Sequence, residues 1–122
     1  MPESKPEALP HDHGSCGSSI IENMPDTVTV QTVAEAMKQL GDPSRLRIFW
    51  LLCHCEECVI NIAAATGMTS PAVSHHLRLL KNAGLILSRR NGKEMYYRAA
   101  DTEIADKLHH TIEELARISC PE

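Results

Sequence analysis

Thr69-Ser70-Pro71-Ala72-Val73-Ser74-His75-His76-Leu77-Arg78-Leu79-Leu80 is the stretch on which the fold turns. Ser70-Pro71 has the order of a helix start, a capping hydroxyl followed by a proline whose missing N–H costs nothing there. Ala72, Val73, Leu77, Leu79 and Leu80 then form the buried stripe of a helix that stops at Gly84. Just upstream, a short helix over about 59–65 runs into Thr66-Gly67, where glycine supplies a turn. The two segments, 60–66 and 70–83, have the length and spacing of a helix-turn-helix. A helix that enters the major groove presents short polar groups and donors from its first turns, with cations further along for phosphates. Ser70, Ser74, His75, His76 and Arg78 meet that description.

Beyond Gly84 the period becomes strand-like. Residues 85–89 and 94–98 flank Asn91-Gly92, a dipeptide that favours a hairpin turn with positive φ at both central positions. Arg89, Arg90 and Lys93 make this hairpin basic, as expected of a wing lying on phosphates. The last segment, 102–118, sets Ile104, Leu108, Ile112, Leu115 and Ile118 on one face of a long terminal helix. Toward the N-terminus, Val30, Val33, Ala34, Met37 and Leu40 mark an amphipathic helix ended by Gly41. Asp42-Pro43 opens the next, which carries Leu46, Ile48, Phe49, Leu51 and Leu52 to a cysteine cluster. The fold class is therefore mostly α with a small β-hairpin, a winged helix-turn-helix over 27–120. Residues 1–26, rich in Pro, Ser, Gly and acids, read as a flexible arm. Three helices and a hairpin cannot readily bury the apolar faces of both the first and the last helix. A partner is a natural place for that apolar area.

The totals agree with one compact domain: 122 residues, 43% hydrophobic and 23% charged. No apolar run approaches bilayer length and the N-terminus lacks the order of a secretory signal, so a cytoplasmic location and no membrane partner are expected. The net charge of −4 argues at first against nucleic acid, but it is unevenly spread. Between Ser70 and Arg98, Arg78, Lys81, Arg89, Arg90, Lys93 and Arg98 face only Glu94, a local +5 that leaves −9 for the remainder. Phosphate attraction is screened beyond about 8 Å, so a basic segment on an acidic body can still hold double-stranded DNA.

Five cysteines are present, three of them in Cys53-His54-Cys55-Glu56-Glu57-Cys58. Such crowding is a poor disulfide framework and points to metal binding or redox chemistry. Cys55 and Cys58 have the C-x2-C spacing that brings two thiolates to one ion, and Cys53 adds a third sulfur. Thiolates select soft and borderline ions: cadmium, lead and zinc foremost, with copper(I), bismuth and arsenite also suited. The alternative use of the same sulfurs is redox or sulfide sensing, with Cys55 or Cys53 pairing with Cys58. A thiol oxidoreductase built on Cys55-Glu56-Glu57-Cys58 would carry a βαβ pattern around the motif; none is visible, and no enzyme is expected.

The quoted helix resembles the recognition helix of the ArsR/SmtB metalloregulators. Leu40-Gly41-Asp42-Pro43-Ser44-Arg45-Leu46-Arg47-Ile48 resembles that family's entry to its second helix, and Arg90-Asn91-Gly92-Lys93-Glu94-Met95-Tyr96-Tyr97 its wing. The resemblance covers roughly 33–118. It implies a repressor, homodimeric through its first and last helices, that binds an inverted-repeat operator and is released by a metal ion, here a thiophilic one, or in a variant reading arsenite. The family motif Leu-Cys-Val-Cys meets Glu57-Cys58-Val59-Ile60 here, so Cys58 matches its first cysteine and Ile60 takes the place of the second. Cys55, and with it Cys53, is the substitute thiolate. Relatives complete such a site from the N-terminal arm, where Cys16 with His11 or His13 is suited. A second family site lies between paired terminal helices. Asp101 matches its first position, but Glu103, Glu114 and Arg117 fall where other ligands belong. His110 and Glu113 keep the mutual spacing one turn early, so Asp101, His110, Glu113 and Glu114 are the candidates there. Cys120 is a further candidate in either arrangement.

Overall fold

The computed structural model of the chain describes residues 9–11, 13 and 16–119, with the backbone alone for 16–18. Cys120 and the Cys16 side chain, both proposed ligands, lie outside the described residues. Among the described residues, six helices and three short strands follow in the order α1 (Cys16–Glu22), α2 (Thr27–Gln39), α3 (Pro43–His54), β1 (Glu57–Cys58), α4 (Val59–Thr66), α5 (Ser70–Asn82), β2 (Ile86–Asn91), β3 (Glu94–Ala99) and α6 (Glu103–Ala116). α1 falls inside the stretch that composition reads as an arm. Seven residues without an apolar period give a periodicity argument nothing to find.

α2, α3, α5 and α6 each begin on a side chain that satisfies one of the orphan N–H groups of the first turn, whereas α4, entered from Cys58, has no such cap. Asp26 accepts from the Thr29 amide at 2.7 Å, and Asp42 Oδ2 from the Arg45 amide at 2.9 Å. At α5 the cap is Thr69, not Ser70: Thr69 Oγ1 accepts from the Ala72 amide at 3.3 Å, and Ser70 and Pro71 stand inside the first turn. Thr102 caps α6 in the same way through the Ala105 amide, at 3.2 Å. α4 ends at Gly67, whose φ of 69° is left-handed backbone that a side chain would strain; this is the turn of the helix-turn-helix. α6 ends on Arg117, left-handed at φ 56°, rather than running on to Ile118.

The core lies where α3, α4, α5 and the sheet meet. Ile48 and Phe49 of α3, Ile62 of α4, Val73, Leu77 and Leu80 of α5, and Leu85 and Ile86 leading into the wing are almost completely buried. Ile104, Leu108 and Ile112 of α6 pack on this cluster from outside. The apolar stripe of α2 behaves otherwise. Ala36 and Leu40 are buried, but Val30, Val33 and Met37 are exposed, as are Leu115 and Ile118 at the far end of α6.

The wing belongs to a three-stranded antiparallel sheet in the order β1-β3-β2, one strand more than the sequence indicated. Glu57 pairs with Tyr97 and Cys58 with Tyr96, so the end of the cysteine cluster is itself the sheet's third strand. The hairpin register pairs Asn91 with Glu94. The two-residue loop is thus Gly92-Lys93, displaced by one from the expected Asn91-Gly92, and among the described residues of the wing only Gly92 has positive φ. Glycine at the first central position is the pattern of a type II′ turn, which needs no left-handed asparagine.

Candidate functional site

The outer face of α5 carries Ser70, Ser74, His75 and Arg78, all exposed. Arg78 Nη2 lies 2.9 Å from His75 Nδ1. Arginine can only donate, so Nδ1 accepts and a neutral His75 carries its proton on Nε2, offering a donor to whatever the helix faces. His76 is turned the other way. Its side chain keeps 15% of its surface and its Nε2 stands 3.9 Å from Asp42 Oδ2 at the start of α3. Its Nδ1 is buried with no hydrogen-bond partner among the described residues, and burial, partly offset by Asp42, pushes its pKa below the ordinary histidine value.

On the wing, Arg90 and Lys93 are exposed at the hairpin end. Arg89 is committed elsewhere: Nε donates to both carboxylate oxygens of Glu56 at 2.9 Å, Nη2 adds a third contact, and the guanidinium lies 5.2 Å from the Tyr96 ring centroid. The pair holds the Glu56 carboxyl below the usual carboxylate range. Glu56 sits between Cys55 and Cys58, so the cysteine loop is tied to the wing twice, through this ion pair and through the pairing of β1 with β3.

The three cysteines of that loop are differently placed. Cys53 is half-buried in α3, Cys55 exposed at its C-cap and Cys58 buried on β1. Burial, and then Glu57 beside it, push the Cys55 thiol up. The three sulfurs do not converge within 4.8 Å of one another; among the described residues, the one group of His, Cys, Asp or Glu that does so is His54, His109 and Glu113. Cys53 and Cys55 line a cleft of about 540 Å³ together with His54, His109, Arg98 and Asp101. In the arm, His11 and His13 are exposed and stack on one another with centroids 5.7 Å apart.

The candidates on the terminal helix do not meet as a group within the protomer. Asp101 accepts from Arg98 Nη1 at 2.8 Å and does not cap α6, whose cap is Thr102. His110 is exposed, 3.3 Å from Asp106 and 3.8 Å from Glu113, and Glu114 is exposed. Glu113, by contrast, is buried against His54 of α3 and His109 of its own helix. His109 and Glu113 are four residues apart on one face of α6, a spacing readable in the sequence. Its complement, His54 with Trp50 one turn before it on α3, is 55 residues away from His109 and becomes a neighbour only in the folded chain.

The sequence model described as "Bacterial regulatory protein, arsR family" matches residues 42–88, from the cap of α3 into the wing. The chain is 41% identical over 88 residues to the Transcriptional repressor SmtB homolog of Synechocystis, covering 66% of this chain and 67% of that protein. The chain belongs to the arsR family. This ArsR-family chain is also 38% identical over 73 residues to the Cadmium resistance transcriptional regulatory protein CadC homolog of Staphylococcus aureus, 59% of this chain and 60% of that one. Among solved structures it is similar to the homodimeric winged helix-turn-helix DNA-binding domain of Mb0332 from Mycobacterium bovis, at TM-score 0.67 and 37% identity over 74% of this chain and 82% of that one. The sequence expectation of a winged helix-turn-helix regulator, and not an enzyme, therefore holds. Among the described residues, no helix is long and apolar enough to cross a membrane.

Proposed function

We propose that this chain is a cytoplasmic, metal-responsive repressor whose homodimer binds an inverted-repeat operator and lets go when a thiophilic ion is captured. The observation that carries the reading is the double tie between the cysteine loop and the wing: Glu56 to Arg89, and β1 to β3. Ser70, Ser74, His75 and Arg78 read base edges from the groove, with Arg90, Lys93 and, when freed, Arg89 on phosphates. His76 positions α5 against α3 rather than touching DNA, in keeping with its contact to Asp42. Dimerisation through α2 and α6 is supported by the exposed Val30, Val33, Met37, Leu115 and Ile118, which a partner would cover.

Cys53, Cys55 and Cys58 hold the ion, with Cys16, His11 or His13 of the arm as completing ligands. Their sulfurs are not assembled in advance. Drawing them together moves the loop that carries Glu56, and the wing is hydrogen-bonded to that loop. A coupling of about 1–3 kcal/mol, a 5- to 150-fold loss of operator affinity, is the usual scale for such linkage. Cadmium, lead and zinc are the favoured inducers on thiolate chemistry, and the similarity to a cadmium-resistance regulator points the same way.

Fluorescence anisotropy with an operator duplex tests this ion by ion. Release by cadmium, lead or zinc from wild type but not from Cys58→Ser or Cys55→Ser is the expected result. Affinity unchanged by those ions, by copper(I), bismuth and arsenite alike, refutes metal release. Loss of binding on oxidation or sulfide treatment without any ion would move the assignment to thiol sensing.

A further inference from the structure

We propose that His54, His109 and Glu113 form a second metal site, inside one protomer, that takes a zinc ion through two imidazoles and a carboxylate. The site is separate from the thiolate cluster and does not depend on it.

The distances are those of a coordination shell. His54 Nε2 and His109 Nε2 are 3.0 Å apart, His109 Nε2 and Glu113 Oε1 3.3 Å, and His54 Nε2 and Glu113 Oε2 3.4 Å. Ligands at the zinc distance of about 2.0–2.1 Å, set at tetrahedral angles, are separated by about 3.3–3.4 Å. Three donors from two helices already stand at nearly that separation, and both imidazoles present the same nitrogen to a common point.

Burial gives a reason for an ion there. Glu113 keeps 8% of its side-chain surface, His109 12% and His54 17%. A carboxylate so far from water requires compensation by hydrogen bonds or by positive charge. The Trp50 indole donates to Glu113 Oε2 at 3.2 Å, supplying a neutral donor that also fixes the carboxylate. A divalent cation would supply the charge. Two nitrogens and an oxygen suit zinc over calcium or magnesium, and three protein ligands leave one position open. His54 and His109 also line the cleft shared with Cys53 and Cys55, which gives the ion a path inward. Occupancy would lock the end of α3, just before the cysteine loop, to α6.

Trp50 is the one tryptophan of the chain, and its ring lies 4.5 Å from that of His54, so its emission reports on this site. The test uses the full chain with Cys53→Ser, Cys55→Ser and Cys58→Ser together, stripped with a chelator and titrated with zinc. One zinc per chain and a change in Trp50 emission are expected. Adding His109→Gln should abolish both, lowering affinity at least about 10-fold, the loss that even an outer-shell partner causes. No zinc bound by the cysteine-less loop, or a response that survives His109→Gln, overturns the proposal. Should the triple variant fail to fold by circular dichroism, wild type decides. There Glu113→Gln and His109→Gln must each remove one zinc per chain together with the Trp50 response, and unchanged stoichiometry overturns it. Operator binding is measured on the same samples, so loss of this site and failure of thiolate-driven release read out separately.

Discussion

Arg89 of the wing grips both carboxylate oxygens of Glu56, 33 residues earlier, at 2.9 Å from its Nε, and Glu56 stands within the cysteine loop. A cation proposed to serve a phosphate is thereby held by the segment proposed to capture the ion. An ion pair with an exposed arginine contributes little to stability, so it can be exchanged for a DNA contact without unfolding anything.

Glu56→Gln should therefore tighten operator binding by up to about fivefold and steepen the dependence of log K on log salt by about 0.9, the weight of one phosphate contact. Arg89→Ala should leave the salt slope near its wild-type value, and Glu56→Gln should have no effect in the Arg89→Ala background. Anisotropy over a salt series reads all three. Equal affinity of Glu56→Gln and wild type would show that Arg89, once freed, makes no phosphate contact.

The remaining cations should separate by role. Arg90→Ala and Lys93→Ala are expected to weaken operator and random duplex alike, each reducing the salt slope by about 0.9. Arg78→Ala should cost about 1–3 kcal/mol on the operator and much less on random DNA, as befits a base contact. A uniform loss from Arg78→Ala would reassign it to the backbone.

His76 sets an expected pH dependence. Its native pKa lies below the ordinary 6.5 because burial outweighs the pull of Asp42. Between the unfolded and the native value the unfolded chain binds more protons, so stability is fully present above about 6.5 and falls as pH drops through the native pKa. Urea unfolding at about pH 7.5 and 5.5 should show this loss, and His76→Gln should lessen it. Asp42, depressed by the Arg45 amide, titrates in a lower window and leaves this comparison undisturbed.

Two substitutions near the turn should differ in mechanism. Ile62→Ala opens a cavity at a fully buried position and should cost about 2–5 kcal/mol. Gly67→Ala meets no atom within 4 Å, so its expected cost of about 1–2 kcal/mol is the left-handed backbone alone. Denaturant midpoints at unchanged m-value check both.

Residues 70–82 were legible because everything they need is local. A capping hydroxyl, an early proline and an apolar stripe of period 3.6 act within a few turns, and so does Gly67. The family pattern was legible for the same reason, being written in those stretches and in the wing. Misreadings occurred where a neighbour in space made the choice. Pairing with β3 turned Glu57-Cys58 into a strand, and the register moved the hairpin loop to Gly92-Lys93. The stripe of α2 stays largely outside, as expected of a face that three helices and a hairpin cannot bury, though periodicity reports only that a face is apolar and not what covers it.

The sequence by itself thus determined the helix-turn-helix, the basic wing and the gathering of sulfur at 53–58, since these rest on short-range preferences and composition. Only the tertiary structure decided which groups meet: Glu56 with Arg89, His76 with Asp42, and His54 with His109 and Glu113. Those pairs are separated by 33 residues or more, and a spacing rule has no reach over such distances. The packing of α6 against α3 sets the last of them and follows from burying Ile104, Leu108 and Ile112, while the pairing of β1 with β3 and the packing of α5 on α3 set the other two.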